Sequence, residues 1–305
     1  MTPAVSICVP AYNHGAFIAE ALESALAQSF GDIEVIVSDN RSTDDTRAVV
    51  EPLQRRDPRV RYEPAPEHLP MQANFNRCLE LARGEYVKFL SADDLLETSC
   101  VERLLGVLQG RPKVTLAACA RRTFGGGSVR TRVLRYADGE GACSGQAAIR
   151  RCFFLGNLIG EPTVVMFRRA DAQGGFSLRY LQLVDLEMWF RLLEDGEFSF
   201  TSEVLCSIRE HGDQATRRSL ASGRGSADKE LLFTEFSGKP YLRGNLYERL
   251  LWDFRMAWTV RRERAAGQVR APSTAVYFQG LRAPMTGAAE IAWAIRGRRI
   301  ESSQP

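Results

Sequence analysis

The chain lacks a glycine-rich phosphate loop: neither GxGxxG nor GxxxxGK[ST] occurs in its 305 residues. Dinucleotide and P-loop chemistries therefore have no support where they would need it. No two of its seven cysteines form a CxxC pair. Cys8, Cys78, Cys100, Cys119, Cys143, Cys152 and Cys206 are scattered, mostly in apolar segments. That pattern suits small buried residues of a reducing compartment, and the odd count argues against a disulfide framework. No apolar run approaches the ~20 residues needed to span a bilayer. The N-terminus has no basic region before an apolar one, so no secretory leader is expected. Net charge is also missing: 40 Lys and Arg against 37 Asp and Glu leave +3, too near balance to argue for nucleic acid. There is no internal repeat.

What the sequence does contain is alternation. Val5–Pro10 reads as a buried strand, followed by turn residues at Tyr12–Gly15. Phe17, Ile18, Ala21, Leu22, Ala25 and Leu26 share one helical face. Ile33–Val37 is a second strand, and a polar, cap-rich stretch, Ser38–Thr46, leads into a second helix that runs to about Arg56. Val60–Tyr62 reads as a third strand, Met71–Arg83 as a third helix and Glu85–Leu90 as a fourth strand. This order implies a parallel sheet covered by helices. Its ligand turns are those after strands one, two and four.

Further expectations follow along the chain. A helix is expected over Leu95–Leu108 and strands over Val114–Ala120 and Glu161–Phe167. Gly125–Gly127 reads as a flexible stretch in preference to a hairpin turn. Gly141–Phe154 reads as helical in part, Val184–Leu193 as a helix, and Phe198–Phe200 and Val204–Ile208 as two strands. Ser219–Ser226 has linker composition, and Tyr241–Ala266 has a helical pattern with a basic end.

The fourth strand stops at Ser91-Ala92-Asp93-Asp94. Adjacent carboxylates at a strand end repel unless a positive charge joins them, and a divalent cation with oxygen ligands is the usual answer. The bland alternative is a solvated helix cap.

Taken together, these motifs resemble the family 2 glycosyltransferases. Pro10-Ala11-Tyr12-Asn13 is similar to the family's first turn, and Asp39, Ser42, Asp44 and Thr46 to its D-x-x-S-x-D-x-T signature. Asn76 and Gly84-Glu85-Tyr86 precede a DXD-type motif whose place is taken by Ser91–Asp94. Asp185, Glu187 and Trp189 resemble its downstream acidic helix. The likeness covers residues 4 to about 212. It departs at Ser91, where an Asp is common, and at Val184, where an acid is common.

The resemblance implies an α/β fold of GT-A type: a Rossmann-like mixed sheet flanked by helices, with a helical C-terminal extension. A catalytic domain over 1–216 would divide into a nucleotide-sugar half, about 1–120, and an acceptor half, about 121–216; residues 217–305 form the extension. It implies an inverting transfer from a nucleotide-diphosphate sugar, UDP-linked, to the hydroxyl of a glycan, a lipid-linked molecule or another acceptor. The setting would be cell-surface polysaccharide or glycolipid synthesis. Asp39 is the candidate for the nucleobase, since a carboxylate accepts from a base N–H; capping of helix two is its other reading. Pro10, Tyr12 and Asn13 would flank the base. Asp93 would bind Mg²⁺ or Mn²⁺ on the diphosphate, with His211 a further candidate ligand; Asp94, counted with Asp93 among the nucleotide-binding residues, would support the metal ligand or contact the ribose. Asp185 would be the general base, and Glu161-Pro162-Thr163 would line the acceptor side.

Two readings stay open beside this one. The first is a binding module that holds a nucleotide sugar without turnover, kept alive by Ser91 and Val184. The second concerns the tail: Trp252, Trp258 and Trp293 with flanking arginines either contact an anionic membrane or belong to a helix packed on the catalytic domain. The expected location is cytoplasmic, with the inner face of the membrane following if the tail binds lipid.

Overall fold

The computed structural model describes residues 2–125, 131–211 and 225–244, together with 248, 250, 252, 253 and 257. Its first part alternates as β1 (Val5–Ala11), α1 (Ile18–Leu26), β2 (Ile33–Asp39), α2 (Thr46–Arg56), β3 (Val60–Pro64), α3 (Met71–Leu81) and β4 (Tyr86–Phe89). Every residue of β2 is buried, as continuous Val and Ile runs dictate for a sheet covered on both faces. β1 pairs in parallel with β2 and with β4, and β2 with β3. Ala11 therefore lies beside Asp39, and Asp39 beside Pro64. The turns leaving these strands gather on one edge.

The second part adds β5 (Leu95–Leu96), α4 (Cys100–Gly110), β6 (Val114–Phe124), β7 (Val133–Leu134), β8 (Glu140–Ser144) and α5 (Gly145–Leu155). A single 3-10 turn at Pro162–Val164 precedes β9 (Val165–Arg168), α6 (Val184–Leu193), β10 (Glu197–Arg209) and α7 (Gly225–Phe236). The ten-stranded sheet runs β3-β2-β1-β4-β9-β6-β10-β5, with β7 on β6 and β8 on β10. β9 is antiparallel to both β4 and β6, so the sheet is mixed.

Several boundaries differ from expectation for identifiable reasons. Leu95 and Leu96 do not begin a helix; they pair with Ser207 and Cys206 at the free edge of the long strand β10, and α4 starts only after Ser99. Asp93-Asp94 is therefore not a helix cap. Residues 140–144 form a strand on β10, and the Ser144 hydroxyl then caps α5 by accepting from Ala147 N at 3.2 Å. Gly145 follows because a Cβ there would lie 1.9 Å from the Leu193 carbonyl oxygen. The Glu161–Phe167 strand is shortened by its proline-led turn. Two expected strands merge into β10, which bends through register shifts between Phe200 and Cys206. A hairpin does form, with Arg121 opposite Leu134, although residues 126–130 lie outside the described ones.

The expected linker lies mostly, and Trp258 and Trp293 entirely, outside the described residues. Of the expected Tyr241–Ala266 helix, Tyr241 and Leu242 sit instead in a 3-10 turn, Pro240–Leu242, whereas the described residues beyond 244, namely 248, 250, 252, 253 and 257, are helical as expected. Leu232, Phe236, Leu242 and Trp252 join the main apolar core. Trp252 stacks on Phe153, with ring centroids 4.6 Å apart. No helix among the described residues is long and apolar enough to cross a membrane.

Candidate active site

The turns after β1 and β2 are stitched together by short polar side chains. Asn13 has a left-handed backbone, φ 57°, which Asn tolerates better than most residues. Its side-chain oxygen accepts from Thr43 N at 2.7 Å, and its own N–H donates to the Ser42 hydroxyl at 2.9 Å. Asp44 accepts from Gly15 N at 2.8 Å and from Thr46 N at 3.0 Å. Ser42, Asp44 and Thr46 thus act on backbone geometry.

Asp39, 3% exposed, ends β2 inside this frame. One oxygen accepts from the Ser42 hydroxyl and the other from the Tyr62 hydroxyl, each at 2.5 Å. Burial and the Asp39 carboxylate both raise the Tyr62 phenol, so it stays a donor. Oδ1 also accepts from Ser42 N at 3.1 Å, so the remaining lone pair is on the Tyr62-bonded oxygen. Pro10 lies beside Ser38 in the β1–β2 ladder. Tyr12 is exposed, and its ring sits 4.7 Å from that of His68. His68 Nδ1 lies 3.1 Å from the Asn40 carbonyl oxygen. Pattern reading passed over His68 because it falls in an irregular, proline-rich connection; nothing in its spacing marks it.

The acidic corner follows β4. His211 Nε2 lies 2.9 Å from Asp93 Oδ2, although 118 residues separate them. Arg209 Nε donates to the Asp93 carbonyl at 3.0 Å, and the Arg209 guanidinium sits over the rings of Phe17 and Phe124. Asp94 points inward. It accepts from the Thr163 hydroxyl at 2.6 Å and from Arg209 N at 3.0 Å. Burial, then the Asp93 charge, pushes Asp94 up to about 8. Ser91 faces the same threonine: its N–H donates to Thr163 Oγ at 3.1 Å, and its hydroxyl, free to donate to that oxygen, also lies 3.1 Å from it. Lys88 is fully buried beneath, donating to the Thr163 and Val165 carbonyls.

Asp93 and His211 supply a hard oxygen and an imidazole nitrogen that already meet across two elements. Mg²⁺ commonly takes one or two protein carboxylates and completes its shell with phosphate and water. The pair fits such an ion.

Asp185 lies at the start of α6. Its Oδ2 accepts from Asn157 Nδ2 at 3.0 Å and its Oδ1 from Leu186 N at 2.8 Å. Asn157 also bonds Gly160 N at 2.8 Å. Gly160 has φ 118°, and a Cβ there would meet Arg121 Nη1 at 2.8 Å. Arg121 is buried against Glu161, with Nε 2.5 Å from Oε2. Burial pushes Asp185 up to about 7; the Leu186 N–H opposes this, the Glu161 charge adds to it and Arg121 opposes it. Trp189 is fully buried and donates to the Gly160 carbonyl at 3.1 Å, so it serves the core. Glu187 is buried as well, paired with Arg191 at 2.6 Å.

The segment from Asn157 to Thr163 thus holds Asp185 at one end and Asp94 at the other. α6 is itself held from a distance: Asp228, on α7, accepts from Leu181 N at 2.8 Å, Gln182 N at 2.5 Å and Leu183 N at 3.0 Å. Sequence reading passed over Asn157, Arg121 and Asp228, whose partners lie far along the chain.

Residues 6–175 match the model of the family described as Glycosyl transferase family 2. The chain belongs to that family. An uncharacterized protein of Mycobacterium tuberculosis is 33% identical over 246 residues, 76% of this family 2 chain and 75% of the relative. A chondroitin synthase of Escherichia coli is 29% identical over 72% of the chain, but the chain spans only 30% of that relative's length. Among solved structures, S. aureus TarS 1–349 in complex with UDP-GlcNAc superposes with a TM-score of 0.65 at 17% identity, covering 86% of this chain and 72% of that one. A mannosyltransferase of Pyrobaculum calidifontis, in complex with GDP-Man and Mn²⁺, does so with 0.63 at 18%, covering 97% and 80%. The fold is that of the GT-A glycosyltransferases, and the chain is a transferase. The family match ends before Asp185 and His211.

Proposed function

We propose that the protein is an inverting glycosyltransferase that moves a sugar from a nucleotide-diphosphate donor, uridine-linked, to a hydroxyl of a glycan or lipid-linked acceptor. The observation that carries the reading is the Asn157–Thr163 segment, which ties a candidate base to a candidate metal corner. The solved relatives' UDP-GlcNAc and GDP-Man, and the chondroitin synthase relative, support a nucleotide-sugar donor and a polysaccharide setting.

Asp39, framed by Ser42 and Tyr62, has one Oδ2 lone pair left for a base N–H, with Pro10, Asn13 and the exposed ring of Tyr12 flanking it. Asp93 and His211 would hold Mg²⁺ or Mn²⁺. Such an ion, when bound, neutralises charge on the departing diphosphate. Asp94, turned inward on Thr163 and the Arg209 N–H, positions Asp93. Asp185 takes the proton from the acceptor hydroxyl as it attacks the anomeric carbon opposite the leaving group, so the configuration inverts. Asn157 holds the carboxylate by one oxygen and Leu186 N–H by the other. A value near 7 suits a base working at neutral pH.

The catalytic unit is taken as 1–216 in two halves, with the extension from 217 contributing Asp228 to the α6 start. Of the tryptophans considered for membrane contact, Trp252 is buried, which favours packing over lipid binding at that residue.

The test is release of nucleoside diphosphate by the purified full chain from a panel of UDP- and GDP-sugars, with and without Mn²⁺ and with glycan or lipid-linked acceptors. Acceptor-dependent, metal-dependent release that Asp185→Asn abolishes while donor binding persists is expected. Donor binding with no turnover on any acceptor would instead favour the binding-module reading.

A further inference from the structure

Three cysteines from three elements converge in the core beneath the acidic corner. Cys100 is the first residue of α4, Cys119 lies in β6 and Cys206 in β10. Cys206 Sγ is 3.7 Å from Cys100 Sγ and 3.4 Å from Cys119 Sγ, and all three sulfurs lie within 4.8 Å of one another. None is more than 3% exposed. The Lys88 ammonium stands 3.8 Å from Cys206 Sγ.

We propose that Cys100, Cys119 and Cys206 form a trigonal thiolate site for a thiophilic divalent cation of the zinc class, separate from the Asp93–His211 corner. Geometry comes first. An ion bound to three sulfurs in a plane at ~2.3 Å places them ~4.0 Å apart; the two Cys206 separations, 3.4 and 3.7 Å, fall a little short of that value, and the third lies within 4.8 Å. Thiolate ligands select soft cations over Mg²⁺ or Mn²⁺.

Charge comes second. The thiolate is the metal ligand, and helix N-termini and neighbouring ammonium groups favour it. Both are present: Cys100 opens α4, and Lys88 lies against the cluster. Lys88 is fully buried, so its ammonium needs a counter-charge close at hand. An isolated buried charge is strongly unfavourable. One ammonium and one thiolate sum to zero. On metal binding, Cys119 and Cys206 each lose a proton while a dication enters; one ammonium, three thiolates and the dication again sum to zero. Cys206 gives up its 3.0 Å hydrogen bond to the Thr163 carbonyl in the exchange. Because the Thr163 hydroxyl holds Asp94, the ion would brace α4, β6 and β10 directly below the catalytic corner.

The thiols are buried, so loading is tested on the full chain refolded under reducing conditions with Cd²⁺, then desalted. The expected result is one retained Cd²⁺ per chain, a thiolate-to-cadmium charge-transfer band in the ultraviolet, two protons released per ion and a higher Tm. Cys119→Ser and Cys206→Ser should each remove the band, and the Asp93→Ala/His211→Ala double variant should leave it intact. Where a cysteine variant fails to fold, the ¹¹³Cd resonance of the unaltered chain reads the ligand set directly. No retained cadmium, a resonance typical of oxygen and nitrogen ligands, or a band that persists in folded Cys119→Ser and Cys206→Ser would overturn the site. None of these readouts depends on glycosyl transfer.

Discussion

His211 and Asp93 meet at 2.9 Å, joining the second residue after β10 to the turn after β4. The two parts of the chain are thereby closed on each other where a metal is proposed to sit.

Removing either partner should weaken Mn²⁺ binding. His211→Ala is expected to lower Mn²⁺ affinity by about 10–100-fold. Asp93→Asn is expected to lower transfer by roughly 10²-fold or more, since it deletes the carboxylate that anchors charge stabilisation of the leaving group. Calorimetric Mn²⁺ titration with a nucleoside diphosphate present checks the first, and initial rates the second. Unchanged metal affinity in both variants would move the metal elsewhere.

Asp185 is expected to set the acid limb of the pH–rate profile. Its carboxyl is pushed up to about 7, and only the ionised form accepts a proton, so transfer should rise as pH increases through 7 and then level. Stability runs the other way. A carboxyl raised on folding holds its proton more tightly in the folded state. Its contribution is fully present below the ordinary Asp range, ~4, and is lost as pH rises through 7. Asp185→Asn should lower the rate by about 10²–10⁴-fold and remove the rise. Steady-state kinetics from pH 5 to 9 on both proteins is the measurement.

Asn157→Ala removes the 3.0 Å donor to Asp185 and the 2.8 Å acceptor for Gly160 N. The base then loses one of its two anchors. A drop in kcat of about tenfold, with KM for the donor unchanged, is expected because a misplaced general base slows only the chemical step. An equal rise in donor KM would place Asn157 on the nucleotide side instead.

Asp228→Ala strips three backbone N–H groups of their acceptor. An unmet buried donor carries a penalty of ~1–3 kcal/mol. Loss of stability on the order of 2–3 kcal/mol is expected, read as a lower urea midpoint. Transfer should fall more than donor binding, because α6 carries Asp185 and not the nucleotide residues.

The alternating core was legible because its signals are local. Val35, Ile36 and Val37 sit together in sequence and are buried together. The position of Asp93-Asp94 at a strand end was legible for the same reason. What followed was not: Leu95 and Leu96 have helical neighbours, and only the free edge of β10, over a hundred residues later, draws them into a strand. The same holds for the support of Asp185. Asn157 lies 28 residues before it and Asp228 comes from a helix beyond the family match, so no pattern around Val184–Leu193 announces either. The cysteines show the limit most plainly: scattered as they are along the chain, Cys100, Cys119 and Cys206 become neighbours only once α4, β6 and β10 pack.

The distant cap on α6 also bears on the order of events at the ribosome. Strands β1 to β4 have all their pairing partners, apart from β9, within the first ninety residues and can assemble early. The Leu181–Leu183 turn that leads into the helix bearing Asp185 gains its acceptor only once Asp228 has cleared the exit tunnel. A nascent chain halted before α7 would thus have its parallel strands paired while the Leu181, Gln182 and Leu183 N–H groups ahead of α6 still lacked their acceptor.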